Sequence, residues 1–554
     1  MKKISPFIFG TAFLIGIFLR LWQVNKVPIA LFGDEIDVGL QANSILTTGK
    51  DYLGNQLPIL FHSFAEYRLP MQLYLDVPFI KLFGLNEVGV RGPAIFMGFI
   101  TVVAFYLLIK ELFGRKIALI SALFMAFSPW HFNFSRQAND AGILMPFIIL
   151  GTLFFIKGTK NFKYLILSGI LFSLAIYTYY IATLFIPIFA LGLLVFYRKA
   201  VIAYGLKKLF LPALLVMIIL SPYIYKTILG TTRERFSAIT IVSTQGIEDE
   251  ISFARKLSGN FWGRLFYNKI TVLSSKLFDN YTQTFSPNFL FYRGDPNPRQ
   301  SISEFGQMYH YDLILVIVGL GILMLSLKSV EKRKYWLFVF WLLIAPLPSI
   351  LTKGGGNHAS RLILMLPPLI LFSALGFDYL ISLKKNIFGK VLIALILLLM
   401  LFDISKFMHR YFVVWPQESW RFWQSGYKEV GTYLKINSDK YERVFLNNTY
   451  EPMLPRFLFW YDYDMKLFQK QFTGDVHKLS IYPGFNGFKL GDKFYFGELV
   501  KPIENLAKDG NLVVASTEKD VTNPYIFDNP ALKLQDIIFA PDNTTLFYIY
   551  SKSQ

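Results

Sequence analysis

Three acidic side chains cluster early in the sequence, directly after its first apolar run. The segment reads Leu-Phe-Gly-Asp-Glu-Ile-Asp from Leu31 to Asp37. A helix that begins near Gly33 would carry Asp34 and Glu35 in its first turn. The simplest explanation is electrostatic, because the dipole of a helix stabilises acids at its amino terminus. This stabilisation is at most about 1 kcal/mol. The alternative is chemical, since a carboxylate can take a proton from a bound substrate.

The residues that follow these acids indicate where such a helix would lie. Ile36, Leu40, Ile45 and Leu46 recur at spacings that give the helix one apolar face. A helix of this kind lies in the membrane interface, with its polar face at the depth of the lipid headgroups. A lipid-linked substrate could therefore reach the acids.

The composition places the chain among membrane proteins. Of its 554 residues, 54% are hydrophobic and 17% are charged, which is too apolar for a soluble domain of this length. A spanning helix needs roughly 20 apolar residues. We expect about eleven spans, near residues 7–25, 93–110, 117–134, 141–157, 163–179, 181–197, 209–226, 311–328, 335–351, 361–383 and 389–405.

The distribution of charge predicts the orientation of these spans. The formal net charge is +19, and its Lys and Arg residues concentrate in the amino terminus and in alternate short connections. The positive-inside rule makes these segments cytoplasmic, so nucleic acid is not an expected partner. The run from Pro6 to Leu19 follows Lys2 and Lys3 without a cleavage site, which indicates a retained first span. The sequence has no cysteine, which excludes disulfides and thiolate metal sites.

The predicted fold is a polytopic α-helical membrane protein with a carboxyl-terminal soluble α/β domain. Residues 1–405 form the membrane module, with two long outer connections at 26–92 and 227–310. Residues 406–554 alternate short β-rich runs, such as Val444 to Leu446, with helix-like stretches, such as Gly426 to Leu434. With an odd number of spans, this domain lies outside the cytoplasm. The second connection is rich in aromatic and cationic residues that can bind sugars or pack against the tail.

The order of several short motifs resembles the polytopic C-type glycosyltransferases, and in particular the protein mannosyltransferase and aminoarabinose transferase group. That group opens its first outer loop with an Asp-Glu pair, which Asp34 and Glu35 match. The further matches are Thr48-Gly49-Lys50-Asp51 with Gly54 and Pro58, Tyr67-Arg68-Leu69-Pro70 before Leu73-Tyr74-Leu75, Leu82-Phe83-Gly84, Arg91, Ser128-Pro129-Trp130, Ser135-Arg136-Gln137-Ala138, and His358 with Arg361 ahead of Pro367. The resemblance covers residues 7 to about 400.

This resemblance implies roles for individual residues. Asp34 would be the catalytic base, Glu35 would position the acceptor or a metal, and Glu66 would be the second acid of the loop. A polyprenyl-phosphate sugar already has a good leaving group, so the enzyme needs a base and cations rather than an acid. Attack on the anomeric carbon from the face opposite the phosphate predicts inversion.

Guanidinium groups meet the charge that develops on such a phosphate. Arg68, Arg136 and Arg361 all fall at the outer membrane boundary by the predicted topology, and we expect them to bind the donor phosphate. Interfacial arginines also extend toward headgroups without any catalytic role. His358 lies in a glycine-rich loop. This loop either closes over the substrate or forms a simple turn. His310 could bind a divalent metal with Glu66, or serve as an interface anchor.

The predicted function is therefore inverting transfer of a hexose or pentose from a polyprenyl-phosphate donor to an acceptor protein, lipid or glycan on the extracytoplasmic face. The expected location is the cell membrane, with a cytoplasmic amino terminus. One alternative is a transporter or flippase of lipid-linked glycans, which should carry ionisable residues at mid-membrane depth. The others are an oligosaccharide ligase or polymerase and a non-catalytic surface receptor.

Overall fold

The structure is a computed structural model, and it describes residues 6–63, 67–229, 244–326, 332–384, 386–448, 450–472, 474, 476–500, 502–508, 510–516 and 530–552. The chain divides into two compact units. The first unit contains Met1–Trp22, Ile59–Gln72 and Pro93–Tyr411, and the second contains Gln23–Pro58, Leu73–Gly92 and Phe412–Gln554. The connection predicted at residues 26–92 thus contributes to two segments of the unit that also contains the carboxyl-terminal residues.

Helices make up most of the chain before residue 410. They are α1 Pro6–Leu21, α2 Gly33–Thr48, α3 Pro70–Phe83, α4 Glu87–Phe127, α5 Pro129–Phe134, α6 Asp140–Gly158, α7 Lys163–Ile176, α8 Ile181–Phe196, α9 Arg198–Ile202, α10 Gly205–Leu229, α11 Thr244–Ser258, α12 Asn260–Phe266, α13 Lys269–Gln283, α14 His310–Ser326, α15 Lys332–Ile344, α16 Leu347–Ile350, α17 Ala359–Leu362, α18 Leu366–Ser382 and α19 Ile387–His409. A short hairpin of β1 Phe61–His62 and β2 Tyr67–Arg68 lies between α2 and α3.

Five helical segments among the described residues are long and apolar enough to cross a membrane. They are Glu87–Phe127, Asp140–Gly158, Gly205–Thr227, Ala359–Ser382 and Ile387–Ser419, and four shorter apolar helices accompany them. The helix is favoured in such runs because it satisfies every backbone polar group within the segment. The helical membrane class is thereby confirmed, while the count of eleven spans stays a prediction.

Two sets of glycines explain how the helices are arranged. Within α4, Gly114 has a φ of 83°, a left-handed conformation that glycine adopts without a side-chain clash, and it separates two helical stretches. Between α14 and α18, a Cβ added at Gly319 would lie 2.0 Å from the carbonyl oxygen of Phe372. A Cβ at Gly376 would lie 2.1 Å from the carbonyl oxygen of Leu315. Small residues at both places therefore allow these two helices to pack closely.

The second unit contains the seven-stranded sheet of the carboxyl-terminal domain. Its strands are β3 Arg443–Asn447, β4 Lys478–Tyr482, β5 Phe485–Leu490, β6 Phe494–Leu499, β7 Asn511–Ser516, β8 Leu532–Phe539 and β9 Thr545–Lys552, in the order β4-β5-β6-β3-β7-β9-β8. Strand β3 runs parallel to both of its neighbours, β6 and β7, and the other pairs are antiparallel. The accompanying helices are α20 Trp415–Ser419, α21 Tyr427–Asn437, α22 Met453–Trp460 and α23 Met465–Gln471.

The centre of this sheet is buried on both faces. Every residue of β7 is buried, and Val444, Phe445 and Leu446 of β3 are fully buried. Continuous apolar runs are typical of strands covered on both sides, which explains why these strands could be found in the sequence. The predicted carboxyl-terminal α/β domain is confirmed in this form.

Candidate active site

Helix α2 presents its two leading acids in opposite environments. Asp34 is exposed, whereas Glu35 is 2% exposed. The Glu35 side chain reaches back to the turn before the helix, where its Oε2 accepts a hydrogen bond of 3.2 Å from the backbone N–H of Phe32. This contact satisfies one of the amide groups that a helix start leaves without an intrahelical acceptor. Glu35 therefore shapes the start of the helix on which Asp34 stands.

A buried guanidinium completes the environment of Glu35. Arg91 donates from Nε to Oε1 and from Nη2 to Oε2 of Glu35, both at 3.1 Å, and the Arg91 side chain is inaccessible to solvent. Arg91 also donates to the carbonyl oxygens of Val24, Pro28 and Ala30, at 2.9, 3.0 and 2.5 Å. One arginine thus connects the segment before α2 to the first turn of the helix.

The third acid of the cluster, Asp37, is also buried. Its Oδ1 accepts a hydrogen bond of 3.0 Å from the hydroxyl of Tyr52. Of the three carboxylates that the sequence places at this helix start, Asp34 is the one exposed to solvent. A base must reach the hydroxyl from which it takes a proton, so Asp34 has the accessibility that the predicted role requires.

Two residues that sequence reasoning missed surround the start of α2. The backbone N–H of Gly33 donates to Gln424 Oε1 at 3.0 Å, and the same oxygen accepts a hydrogen bond from Arg456. Burial lowers the pKa of the Arg456 guanidinium, and negative groups that include Glu451 and Asp34 oppose that shift. No local motif pointed to Gln424 or Arg456, because they follow α2 by about 400 residues.

In the first unit, the β1–β2 hairpin carries Arg68. Arg68 is half-buried and lies opposite Phe61 in the hairpin. The hairpin is anchored at Tyr67, whose carbonyl oxygen accepts a hydrogen bond of 3.2 Å from the hydroxyl of Tyr180. Glu66, the predicted second acid, lies outside the described residues. The roles of Arg68 and Glu66 stay predictions.

Arg136, also in the first unit, is buried against the end of α1. It donates to the carbonyl oxygens of Leu19 and Arg20 at 2.8 and 2.6 Å, and its guanidinium lies 5.5 Å from the ring centroid of Tyr411. Arg20 beside it donates to Ser135 Oγ and to the Ala126 carbonyl oxygen at 2.9 and 2.7 Å. These contacts hold the last turn of α1, and phosphate binding by Arg136 stays a prediction.

The segment from His358 to Arg361 is an ordered turn. The backbone N–H of Ala359, at the start of α17, donates to Asp295 Oδ2 at 2.7 Å, and that of Ser360 donates to Gln300 Oε1 at 3.1 Å. Arg361, which is half-buried, donates to Thr352 Oγ1 at 2.7 Å. The connection at residues 227–310 therefore supplies two side chains that position the turn carrying both predicted site residues.

The glycines before His358 are required by close packing. A Cβ at Gly355 would lie 1.8 Å from the carbonyl oxygen of Ser349, and one at Gly356 would lie 2.6 Å from Oε1 of Gln283. Both glycines are buried. The glycine-rich segment thus packs as a turn against α13 and the end of α16.

The environment of His358 keeps its imidazole neutral. Burial, with the positive charges of Arg361 and Arg299, lowers the pKa of His358 to about 3. Burial also raises the pKa of Asp295, whose carboxylate lies 4.0 Å from His358 Nδ1. At neutral pH His358 can therefore accept or donate a hydrogen bond as an uncharged ring, but it is not the imidazolium that would act as a general acid.

His310, the candidate metal ligand, contacts a buried acid. Its Nδ1 lies 3.1 Å from Oδ1 of Asp403, and Asp403 Oδ2 accepts a hydrogen bond of 3.2 Å from the backbone N–H of Tyr311. Within the ranges that the structure describes, no three His, Asp or Glu side chains are grouped so that they could hold a metal ion. The predicted partner, Glu66, is outside those ranges, so metal binding stays a prediction.

The likeness to known proteins agrees with this architecture. Residues 68–226 match the family of dolichyl-phosphate-mannose-protein mannosyltransferases. The fold matches ArnT from Cupriavidus metallidurans bound to undecaprenyl phosphate with a TM-score of 0.51 at 13% identity, over 98% of this chain and 97% of that one. The apo form of the same protein gives a TM-score of 0.51 at 12% identity, over the same shares.

A more distant likeness is to the oligosaccharyltransferase AglB from Archaeoglobus fulgidus, with a TM-score of 0.46 at 13% identity, over 79% of this chain and 59% of that one. No curated protein sequence matches the chain significantly. The predicted resemblance to the C-type glycosyltransferases of the mannosyltransferase and ArnT group is confirmed by the family match and by the ArnT fold.

Proposed function

We propose that this multi-pass membrane protein is an inverting glycosyltransferase that moves a sugar from a polyprenyl-phosphate donor to an acceptor hydroxyl, with Asp34 as the base. The observation that carries the proposal is the exposure of Asp34 on a helix start whose other acids are buried and bonded. The support for the donor class is the ArnT fold, seen in a complex with undecaprenyl phosphate, and the mannosyltransferase family match.

The chemistry follows from the properties of the donor. The Asp34 carboxylate takes the proton of the acceptor hydroxyl as that oxygen attacks the anomeric carbon. The bond from this carbon to the phosphate oxygen breaks, and the polyprenyl phosphate leaves with the electron pair. Because the attacking and leaving oxygens are on opposite faces of the carbon, the product has inverted configuration. The leaving phosphate needs no proton, and guanidinium groups stabilise its charge.

The other predicted residues take distinct parts in this reaction. Arg68 and Arg361, both half-buried, and the buried Arg136 are the candidates for binding the phosphate. Glu35 acts through its ion pair with Arg91 as a positioning residue, because it orders the turn that carries Asp34. The excess of Lys and Arg in alternate connections supports a cytoplasmic amino terminus and an extracytoplasmic reaction.

The test of the base is an assay with purified protein, a polyprenyl-phosphate hexose or pentose, and candidate acceptors. Asp34→Asn should lower kcat by roughly 10²–10⁴-fold, the usual contribution of a positioned base, with an unchanged melting temperature. Asp492→Asn is a matched control, because Asp492 is an exposed acid of the same unit and forms an ion pair with Lys489 at the surface. Full activity of Asp34→Asn would refute the assignment.

The stereochemical prediction is tested separately. The anomeric coupling constant of the product, measured by NMR, should show the configuration opposite to that of the donor. Retention would require a covalent glycosyl-enzyme intermediate or a second inversion, and would contradict direct attack by the acceptor.

A further inference from the structure

The second unit contains a small pocket that the proposed chemistry does not use. Its volume is about 200 Å³. The segment Ile29–Leu31 forms one side, and the residues 424–429, which lead into α21, form another. Arg456 and Trp460 of α22 and the turn Phe539–Pro541 complete the wall. Every part of the pocket thus belongs to one compact unit.

Two buried polar side chains in the wall have hydrogen-bonding atoms that the described residues do not satisfy. They are Ser425 Oγ and Arg456 Nε, and the two residues are 7% and 4% exposed. A buried polar atom without a partner costs about 1–3 kcal/mol, and such groups in native proteins are commonly satisfied by a bound molecule or water. These atoms are therefore available to bond to an oxygen atom of a ligand or of a water molecule.

The first turn of α21 adds donors to the same wall. The intrahelical hydrogen bonds of α21 begin at Val430, whose backbone N–H donates to the carbonyl oxygen of Gly426 at 3.1 Å. The preceding amides, of Tyr427, Lys428 and Glu429, have no intrahelical acceptor. The wall accordingly offers backbone donors in addition to the two side-chain atoms.

The charges of the pocket argue against an anion. Lys428 Nζ lies 2.5 Å from Glu87 Oε1, and Arg456 lies 3.7 Å from Glu451 Oε2. A third charged residue of the lining, Glu429, is an acid. Both cations are therefore balanced by acids, and a phosphate or carboxylate would gain little Coulomb attraction here.

The size and lining of the pocket restrict the ligand further. At about 30 Å³ for each water molecule, the space corresponds to roughly seven waters, which suits one sugar ring and not an extended peptide. Trp460 provides an aromatic wall, and Gln424 provides an amide whose oxygen also accepts from the N–H of Gly33. The pocket therefore adjoins the helix start that carries Asp34.

We infer that this pocket binds one neutral, hydroxyl-rich residue of the acceptor, a monosaccharide unit, and so brings an acceptor hydroxyl to Asp34. This inference rests on the proposed function for its link to catalysis. It makes the acceptor a glycan or a glycosylated molecule, with the donor phosphate bound elsewhere in the protein.

The binding test uses saturation-transfer NMR on the full-length protein with methyl glycosides of common hexoses and pentoses. At least one glycoside should give a signal, and inorganic phosphate should not displace it. Ala540→Leu should abolish the signal, because Ala540 is a buried residue of the pocket wall. Ala531→Leu, at an exposed position of the same sheet domain, should retain it. The inference would be overturned if no glycoside gave a signal with the wild-type protein. It would also be overturned if the signal survived Ala540→Leu, or if phosphate or a serine peptide displaced it.

The catalytic test is independent of the fold of the Ala540 variant. Ser425→Ala removes one oxygen from the wall and should raise the acceptor KM several-fold, without altering the donor KM. A variant in which the acceptor KM and the donor KM rise equally would contradict a role in acceptor binding. So would a variant in which neither constant changes. An active wild-type enzyme that binds no glycoside refutes the pocket assignment alone. Glycoside binding without any transfer from polyprenyl-phosphate sugars refutes the proposed function.

Discussion

The start of α2 and the turn from His358 to Arg361 both carry predicted site residues, but different interactions hold them in place. At α2, Glu35 and Arg91 form a buried bidentate ion pair. At the turn, neutral backbone amides donate to Asp295 and to Gln300, two side chains of a separate connection. In both places, the residues that order the backbone beside the proposed site residue are buried.

The comparison shows that adjacent residues of one motif can have opposite environments. Asp34 is exposed and Glu35 is buried, although the two are neighbours in a dipeptide that sequence reasoning treats as one catalytic feature. The two regions should also differ in their sensitivity to mutation. Removing one member of a buried ion pair leaves an uncompensated charge, whereas removing the acceptor of a backbone amide leaves an unpaired amide.

The largest effect on stability is expected at Glu35. Glu35→Ala leaves the Arg91 guanidinium buried without its carboxylate, and should lower the free energy of unfolding by about 3–5 kcal/mol. Thermal unfolding of the purified protein in detergent would measure this change as a lowered melting temperature. Asp34→Ala, one residue away and exposed, is the matched control and should leave the melting temperature close to that of the wild type. Equal effects of the two substitutions would remove the distinction between them.

Much of the fold could be predicted because its signals are local. Apolar runs located the helices, and short β-rich runs located β3 and β7 of the sheet. Other features depend on contacts between distant residues. The order of the strands depends on pairings such as Val444 with Leu512 and with Phe494. Val500 to Ala507, which is helix-like by sequence, has a single 3₁₀ turn, Ile503–Asn505, among its described residues.

The site was less predictable for the same reason. Asp34 belongs to a recognisable dipeptide, but the environment of its neighbour Glu35 depends on an ion pair with Arg91, 56 residues beyond Glu35 in the chain. The partners of the His358 turn, Asp295 and Gln300, lie in a connection whose aromatic and cationic composition is equally compatible with packing. Burial and pairing across such distances leave no periodicity or spacing in the sequence.

A smaller effect is expected at Asp295. Asp295→Ala removes the acceptor for the buried amide of Ala359 and should cost about 1–3 kcal/mol. Because Arg361 follows that amide, the donor KM should rise more than the acceptor KM. Asp295→Asn keeps one oxygen that can accept this hydrogen bond, and should recover most of the stability and of the donor KM. Loss of stability with an unaltered donor KM would show that the turn does not position a donor-binding residue.

The smallest effect is expected in the pH dependence of stability, through the protonation of His358. Its pKa is about 3 in the folded protein, chiefly because it is buried, and about 6.5 in an unfolded chain. As the pH falls from 6.5 toward 3, the unfolded chain binds a proton that the folded protein does not, so stability is lost in that window. His358→Gln removes this contribution, and its melting temperature should therefore decline less than that of the wild type between pH 7 and pH 4.5. His477→Gln, at an exposed position, is the control and should follow the wild type. A steeper decline in His358→Gln would mean that the protonated imidazole is stabilised in the folded turn, and that Asp295 rather than burial and the arginines determines its charge.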